Sequence, residues 1–499
     1  MRTFADQQTV QHRDVVEHDV RARDDKLSGF VILRLSAALD PGDEPDLHEH
    51  AQALRLGSLV ELLDALGRPP TRRAITSVAP RELLQLEEQA KDGPLPPLQS
   101  LTRYWRVDVR RLPQRPAAIA EQLSGLGGVE LAYAETVFSD PAIAATTVMN
   151  PRNGEQRYLD NAPTGISARW AWTQPGGEGQ GVGLADIEQG WHFGHPDLLC
   201  PPSTLINITV PVPGHPELPP VRLINRHGMG SYIGHHGTGV VGIIAANDND
   251  VGVIGIAPSL RSLHAAPIFD GTNVVDVANA LTGASSAMRR GDVLLLEVQS
   301  GDEEDPLPAE TDDLVFHAIR LATSLGRTVV EPAGNGNIGL STWRPNVGSR
   351  RLIPGHRTWD SGAIMVGACQ TSPANLAEPD GPISLRRTAT SNYGKRVNCF
   401  AWGERVTTCR VGRPGRSASF YTAEFGGTSS AAAIIAGAAV LTQSMNLARR
   451  PGRPLSPGQM RSMLSASANG TQQRPATATK RIGSMPDLRM IKAKLEQIV

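Results

Sequence analysis

The chain has 499 residues, which is enough to bury a large core and to form more than one domain. Its 49 basic and 50 acidic side chains give a formal net charge of −1, so the charge balance does not favour nucleic acid or an anionic membrane surface as a partner. The longest uncharged apolar run, residues 431–441, is too short to cross a bilayer and is interpreted as a buried helix. We therefore expect no nucleic-acid partner and no membrane partner.

The N-terminal residues 1–25 are rich in charge and lack a periodic apolar pattern, which predicts a flexible tail. They do not show a basic start followed by an apolar core, so no secretory signal is predicted. We expect the protein to be cytoplasmic or to be exported by a leaderless route.

Residues 26–140 alternate between strand-like and helix-like patterns. Strands are predicted at 30–35, 74–78, 103–109 and 129–134, and helices at 47–66, 80–90 and 117–126. The alternation predicts a small α+β domain at residues 26–140. Residues 141–180 are interpreted as a linker and as the entry to the next domain.

From residue 181 to the end, short runs of Val, Ile and Leu alternate with Ala-rich helical segments. This pattern predicts a doubly wound, mostly parallel α/β sheet over residues 181–499, with functional residues at the carboxyl ends of strands. Near the end, Ser456 and Pro457 are predicted to cap and start a helix. The segment 483–488 is expected to close the core.

Four cysteines are few for this length, and their spacing matches no Cys-x-x-Cys metal signature. We interpret them as small buried side chains rather than as disulfide partners. They are Cys200, Cys369, Cys399 and Cys409.

Several motifs carry candidate catalytic groups. An apolar strand ends in two carboxylates, Asp186 and Glu188. His236 precedes a Gly-Thr pair and a helix of small residues, where it can act as a general base. Asn335 follows an apolar strand and a tight turn. Ser429 begins an Ala-rich helix, whose free N–H groups and dipole favour the negative charge that develops during acyl transfer.

The order carboxylate, histidine, serine is the order found in subtilisin. With the Asn335 turn between them, these motifs resemble the subtilase family of serine peptidases over roughly residues 155–470. The resemblance implies a subtilisin-type fold, Ser429 as nucleophile, His236 as general base and Asn335 as an oxyanion donor. It also implies a substrate-binding site formed by Glu297, Val298, Gln299, Pro332, Ala333 and Gly334.

The acid departs from the family pattern, because Glu188 stands where subtilases carry aspartate. Asp186 lies two residues earlier, and residues two apart in a strand point to the same face. We expect Glu188 to be the catalytic acid, with Asp186 either supporting it or acting in its place.

Other positions near the candidate site also differ from the family pattern. Ala433 and Ile434 replace the proline and histidine that usually follow the catalytic serine, and Gly239 replaces the histidine common three residues after the catalytic one. Glu297-Val298-Gln299 replaces the Ser-Leu-Gly edge of typical subtilases. Glu297 is interpreted either as a surface or network carboxylate or as a specificity residue.

These observations together predict a serine endopeptidase that hydrolyses polypeptide substrates without a metal in the chemistry. Structural calcium is common in the family, but the sequence assigns no ligands to it. The alternatives are a subtilase-like binding protein without catalysis and a different serine hydrolase such as an esterase. The esterase is disfavoured because no Gly-x-Ser-x-Gly elbow surrounds Ser429.

The domain at 26–140 lies where subtilases carry an inhibitory pro-domain, and we expect it to act as an intramolecular inhibitor. The segment 139–147 would then thread toward Ser429. The alternative is an unrelated N-terminal domain.

Overall fold

The computed structural model describes most of the chain. The described residues are 27–37, 39, 44, 46–93, 95–97, 99–139, 153–198, 205–206, 208–210, 221–225, 233–249, 252–269, 275–301, 306–343, 352–353, 355–356, 358–371, 384–411, 421–476 and 478–498. The predicted tail at 1–25, Cys200 and the segment 140–147 lie outside these ranges. The described residues form two compact units.

The smaller unit comprises the described residues up to 74 together with 103–137. It contains a four-stranded sheet, whose strands in spatial order are Thr71–Arg73, Tyr104–Asp108, Leu27–Leu35 and Val129–Thr136. Its helices are Leu47–Ala53, Gly57–Ala65 and Pro116–Ser124. Apolar side chains from the sheet and the helices form one buried cluster, with Trp105 at 0% exposure.

Two sequence predictions in this region are wrong in detail. The helix predicted at 47–66 is two helices, because the chain turns at Arg55, whose φ is +59°. The strand predicted at 74–78 lies instead at Thr71–Arg73. It ends there because the backbone N–H groups of Thr76 and Ser77 donate to the Asn279 side chain rather than to a neighbouring strand.

The larger unit comprises residues 75–102 and the described residues from 138 to the C-terminus. The predicted domain spans residues 26–140 without interruption, whereas the smaller unit does not include the connection 75–102, which belongs to the larger unit. The helix predicted at 80–90 is confirmed in this connection as Pro80–Ala90, with proline in its first turn.

The larger unit is built on an eight-stranded sheet that is parallel except at one edge. In spatial order its strands are Gly470–Gln472, Ser484–Pro486, Cys399–Trp402, Ile364–Cys369, Thr328–Pro332, Val293–Leu296, Gly183–Glu188 and Ser262–Pro267. Helices alternate with these strands along the chain: Ile233–Ala245, Val277–Ala287, Asp313–Ser324, Gly427–Arg449, Pro457–Ser465 and Leu488–Glu496. The predicted α/β architecture is confirmed, as is the helix that Ser456 caps and Pro457 starts.

The order of the strands indicates where in the sheet the candidate site lies. Gly183–Glu188 has the next strand of the chain, Ser262–Pro267, on one side and Val293–Leu296 on the other. The direction of winding therefore reverses at Gly183–Glu188, and ligands of open α/β sheets bind at the carboxyl end of such a switch point. Glu188 is the last residue of that strand.

The helix Gly427–Arg449 crosses the core of the larger unit and is buried from Gly427 to Asn446. This helix is long and apolar enough to cross a membrane, but 89% of its most hydrophobic stretch is buried inside the protein. It is therefore the core helix that the sequence predicted. Three of the four cysteines, Cys369, Cys399 and Cys409, are buried, as expected.

Candidate active site

Three side chains from three different elements meet at the switch point. The Nδ1 atom of His236 lies 2.5 Å from Oε2 of Glu188, and its Nε2 atom lies 3.0 Å from Oγ of Ser429. All three residues are buried, with exposed fractions between 0% and 2%. Each ring nitrogen of His236 thus has its own partner, which is the arrangement in which a histidine can take a proton from a hydroxyl while a carboxylate orients it.

Local backbone structure explains how these side chains are presented. Ser429 is the third residue of the helix Gly427–Arg449, which starts after Gly426 without a side-chain cap. The N–H of Gly427 donates instead to the Gly403 carbonyl at 2.9 Å, and the N–H of Thr428 donates to Oδ1 of Asn335 at 3.1 Å. His236 lies in the first turn of the helix Ile233–Ala245, which packs against the serine helix.

Asp186 is fully buried on the same strand as Glu188 but has a different partner. Its Oδ2 accepts a hydrogen bond of 2.8 Å from Nε1 of Trp191. Burial raises the pKa of Asp186 to about 7, opposed by the Trp191 hydrogen bond and by the nearby His236. The structure thus brings Glu188, and not Asp186, into hydrogen-bonding distance of His236.

Asn335 lies at the turn that follows the strand Thr328–Pro332. Its Oδ1 accepts from the backbone N–H of Thr428 at 3.1 Å and from the Thr428 hydroxyl at 3.3 Å. These contacts fix which end of the amide faces Thr428, one residue before Ser429. Asn335 is therefore held beside the serine, where its Nδ2 donor end can serve an oxyanion.

A residue to which the sequence assigned no role holds this turn in place. Asn392 is fully buried, and its Nδ2 donates to the carbonyl oxygens of Pro306 and Ala333, each at 2.7 Å. Its Oδ1 accepts from the N–H groups of Gly336 and Ile338, at 3.1 and 2.7 Å. The Asn392 N–H also donates to the Gly334 carbonyl at 2.9 Å.

The Asn392 side chain thus forms hydrogen bonds with residues that precede and residues that follow Asn335 in the sequence. Its contacts lie 54 to 86 residues away in sequence, so spacing could not reveal them.

The expected substrate-binding residues lie around the same end of the sheet. Glu297 follows the strand Val293–Leu296, and its N–H donates to the Ile187 carbonyl at 3.1 Å. Glu297 has 0% exposure, so its interpretation as a surface carboxylate is wrong, while the network and specificity interpretations stay open. The other five, Val298, Gln299, Pro332, Ala333 and Gly334, are also buried.

Gln299 and Ser300 form a short strand that pairs antiparallel with Phe138 and Ser139. In addition, Nε2 of Gln299 lies 3.2 Å from Oγ of Ser139. The predicted substrate edge is thus occupied by residues that directly follow the last strand of the smaller unit.

The departures near the serine and histidine are accommodated by packing. Ala433 and Ile434 are fully buried in the core. A Cβ atom on Gly239 would lie 2.9 Å from the ring of Phe425, and this ring lies 5.5 Å from that of His236. Phe425 therefore takes the space beside His236 that a larger residue at position 239 would need.

Comparison with known proteins identifies the family to which the chain belongs. The model of the Subtilase family matches residues 227–484. Subtilisin Savinase from Lederbergia lenta is 29% identical over 268 residues, which are 54% of this chain and 78% of that protein. An alkaline protease from Shouchella clausii is also 29% identical over 268 residues, and the match spans 55% of its length.

Solved structures show the same fold at low identity. Fervidolysin from Fervidobacterium pennivorans has a TM-score of 0.55 and 16% identity, covering 93% of this chain and 61% of that one. The epidermin leader peptide processing serine protease of Staphylococcus aureus has a TM-score of 0.55 and 15% identity. The match covers 94% of this chain and 99% of that one. The fold and the site define a serine-type endopeptidase of subtilisin type. The chain belongs to the subtilase family.

Proposed function

We propose that the chain hydrolyses peptide bonds with Ser429, His236 and Glu188 as a catalytic triad. The observation that carries this proposal is the continuous contact from Glu188 through both ring nitrogens of His236 to Ser429. Oγ of Ser429 attacks the peptide carbonyl carbon while its proton passes to Nε2 of His236. The C–N bond then breaks, and the leaving amine takes that proton from His236. Water, deprotonated by His236, releases the acyl group.

Glu188 holds His236 in the tautomer that carries its proton on Nδ1 and stabilises the cation formed when Nε2 is protonated. The side-chain amide of Asn335 and the N–H of Ser429 donate to the oxyanion. Each such donor typically contributes about 3 kcal/mol to stabilising the transition state.

These steps use side-chain and backbone groups of the protein together with one water molecule. Among the residues that the structure describes, no group of three or more His, Cys, Asp or Glu side chains could hold a metal ion. Structural calcium stays an expectation to which no ligands are assigned.

We also propose that the chain is made as a self-inhibited precursor. The antiparallel pairing of Phe138 and Ser139 with Gln299 and Ser300 supports this, because an extended segment on the substrate edge competes with a polypeptide substrate. A tethered segment needs little intrinsic affinity, since a short linker raises its effective concentration to about the millimolar range.

The nucleophile is tested with casein hydrolysis and a fluorophosphonate probe, before and after the N-terminal region has been cut from the rest. Ser429→Ala should abolish both activities. Ser430→Ala is the matched control, because Oγ of Ser430 donates to the carbonyl oxygens of Trp402 and Gly427 instead. Undiminished labelling of the Ser429→Ala protein would overturn the proposal, and absence of labelling in the folded parent would favour the non-catalytic binding protein.

Self-inhibition is tested in the uncut chain by replacing Phe138 and Ser139 with two prolines, which removes both backbone donors of the paired segment. The control replaces the same two residues with alanines and keeps the donors. The proline variant should hydrolyse a short peptide substrate faster than the alanine variant. Equal rates in the two variants would mean that the pairing does not restrain activity.

A further inference from the structure

Three segments of the larger unit at and near the Asn335 turn carry basic side chains and no acidic ones. They are residues 334–343, 384–395 and 470–481. The whole chain has nearly equal numbers of basic and acidic side chains, so this local excess of positive charge is a departure from its average. We name the six basic residues of these segments the basic patch: Arg386, Arg387, Lys395, Arg474, Lys480 and Arg481.

Backbone hydrogen bonds hold the three segments together. The N–H of Asn337 donates to the Thr390 carbonyl at 2.6 Å, and the N–H of Gly394 donates to the Arg481 carbonyl at 2.8 Å. Asn337 lies two residues after Asn335. The basic patch therefore borders the turn that carries the proposed oxyanion donor.

Two cations of the patch converge on one amide oxygen and one aromatic ring. Nη2 of Arg387 and Nζ of Lys480 donate to Oδ1 of Asn337 at 2.9 and 3.1 Å. Cζ of Arg387 lies 5.1 Å from the centroid of the Tyr393 ring, and Nζ of Lys480 lies 4.9 Å from it. Two like charges are thus held within two hydrogen-bond lengths of each other.

The acceptors of these two cations are only partly negative. Arg387 also donates to the carbonyl oxygens of Ala389 and Ser391, and no Asp or Glu of the described ranges pairs with Arg387 or Lys480. Partial burial lowers the pKa of Arg387, opposed by Tyr393. An ammonium has three N–H donors, of which Lys480 uses one on Asn337. A carboxylate is therefore a ligand that this arrangement fits.

The sheet order shows where the patch lies relative to the predicted substrate edge. The Asn335 turn follows the strand Thr328–Pro332, whose neighbours are Val293–Leu296 and Ile364–Cys369. The substrate edge continues the first neighbour, whereas Arg387 forms a bridge with the last residue of the second. The edge and the patch thus lie on opposite sides of the turn, so an extended polypeptide that runs from the edge past Asn335 approaches the patch.

We propose that the basic patch binds acidic side chains of the polypeptide substrate, on the side of the cleaved bond that faces away from the substrate edge. This inference rests on the proposed hydrolysis of peptide bonds. It names the substrate class as polypeptides with Asp or Glu close to that bond. A polypeptide is favoured over a nucleic acid because the patch borders the donor that serves the reacting carbonyl group.

Binding is tested without catalysis, in the full chain that carries Ser429→Ala and the two prolines at Phe138 and Ser139. The probes are fluorescent peptides in pairs that differ only by Glu or Gln at one position, and fluorescence anisotropy gives Kd. At least one Glu peptide should bind about fivefold more tightly than its Gln counterpart, and the difference should shrink as salt is added. Equal affinities in every pair would overturn the proposal, even if the parent chain proves to be an active peptidase.

Lys480→Glu in this protein assigns the preference to the patch. Lys480 is exposed, so the change is expected to leave the fold intact. Lys494→Glu is the matched control, because it makes the same change of charge on the helix Leu488–Glu496, where Nζ of Lys494 donates to Gln497 at 2.9 Å. Lys480→Glu should abolish or reverse the preference for Glu, and Lys494→Glu should keep it. A preference that survives Lys480→Glu would overturn the proposal.

The protein with Ser429 intact separates this inference from the proposed function. The ratio of kcat/KM for a Glu peptide to that for its Gln counterpart should exceed one, through KM, at positions on one side of the cleaved bond only. Cleavage of both members of every pair with equal kcat/KM would overturn the inference and leave the peptidase standing. Cleavage of neither would refute the proposed function, and the binding experiment would then decide the inference alone.

Nucleic acid is the competing ligand class. Double-stranded DNA is titrated into the same Ser429→Ala protein with and without Lys480→Glu. Weak binding of DNA that does not change with Lys480→Glu is expected. DNA binding that depends on Lys480, together with equal affinities for the Glu and Gln peptides, would overturn the proposal and assign the patch to nucleic acid.

Discussion

The backbone of Gly237 lies directly against the carboxylate of Glu188. A Cβ atom at position 237 would be 1.9 Å from Oε1 of Glu188 and 2.6 Å from the Gly190 carbonyl oxygen. The absence of a side chain beside His236 therefore makes room for a glutamate at the acid position, where the family pattern has the shorter aspartate.

Gly237→Ala should consequently displace Glu188 and lower kcat by about a hundredfold or more, since a misplacement of about 1 Å can have an effect of that size. Casein hydrolysis by folded protein is the measurement. Gly194→Ala is the control, because its nearest neighbour would be a His192 ring atom at 3.4 Å, an ordinary contact. An active Gly237→Ala enzyme would show that the position of Glu188 is not critical.

Glu188→Gln should damage turnover far more than Asp186→Asn, because the hydrogen bond to Nδ1 of His236 comes from Glu188, whereas Asp186 accepts from Trp191. Loss of the acid of a triad can lower kcat by about four orders of magnitude. Asp186→Asn keeps an oxygen that accepts from Trp191 and should have a much smaller effect. If Asp186→Asn is the more damaging change in folded protein, Asp186 is the catalytic acid.

Asp186 should also make stability depend on pH. Its pKa is about 7 in the folded protein and near 3.8 when exposed, so the folded state binds the proton more tightly. This contribution is fully present below about pH 4 and is lost as pH rises through about 7.

Asp186→Asn removes that dependence, so the variant should gain in Tm relative to the parent as pH rises from 4 to 7. Thermal unfolding in the Ser429→Ala background, which prevents self-digestion, measures the difference at each pH. A difference that stays constant with pH would contradict a buried, protonated Asp186.

Asn392 should act on catalysis through Asn335. Asn335→Ala is expected to lower kcat by about 10²–10³-fold, as is typical for removal of one oxyanion donor. Asn392→Ala should lower kcat with little change in KM, because it loosens the turn that carries Asn335. In a double-mutant cycle the two losses should not add. Additive losses would mean that Asn392 has only a structural role.

Local sequence order brought out Ser429 and His236 as candidates for the nucleophile and the base, because each lies in a short motif at the start of a helix. The sequence favoured Glu188 over Asp186 by its position in the family pattern but left Asp186 open, since residues two apart in a strand share a face. The hydrogen bond between Glu188 and His236 is the contact that distinguishes them. Glu297 was open to a surface interpretation because a glutamate usually lies in water, whereas here its strand lies inside the sheet.

The strand at Thr71–Arg73 was predicted in the wrong place for a different reason. The strand predicted at 74–78 has suitable residues, but its backbone donors are used by Asn279. A bond between residues so far apart in sequence leaves no periodic signal. Residues 74–78 have a local propensity for a strand, but the hydrogen bonds to the distant Asn279 side chain prevent it from forming there.

The same bond has a consequence for the order of folding during synthesis. Thr76 and Asn279 are 203 residues apart, and the chain grows at about 5–20 residues per second, so Thr76 and Ser77 leave the ribosome about 10–40 s before Asn279 does. During that interval the backbone donors of Thr76 and Ser77 can be satisfied only by water or by helper proteins. In a nascent chain stalled before Asn279, a protease should therefore still be able to cut the connection at Thr76 and Ser77. Synthesis past Asn279 is the earliest moment at which this connection becomes resistant.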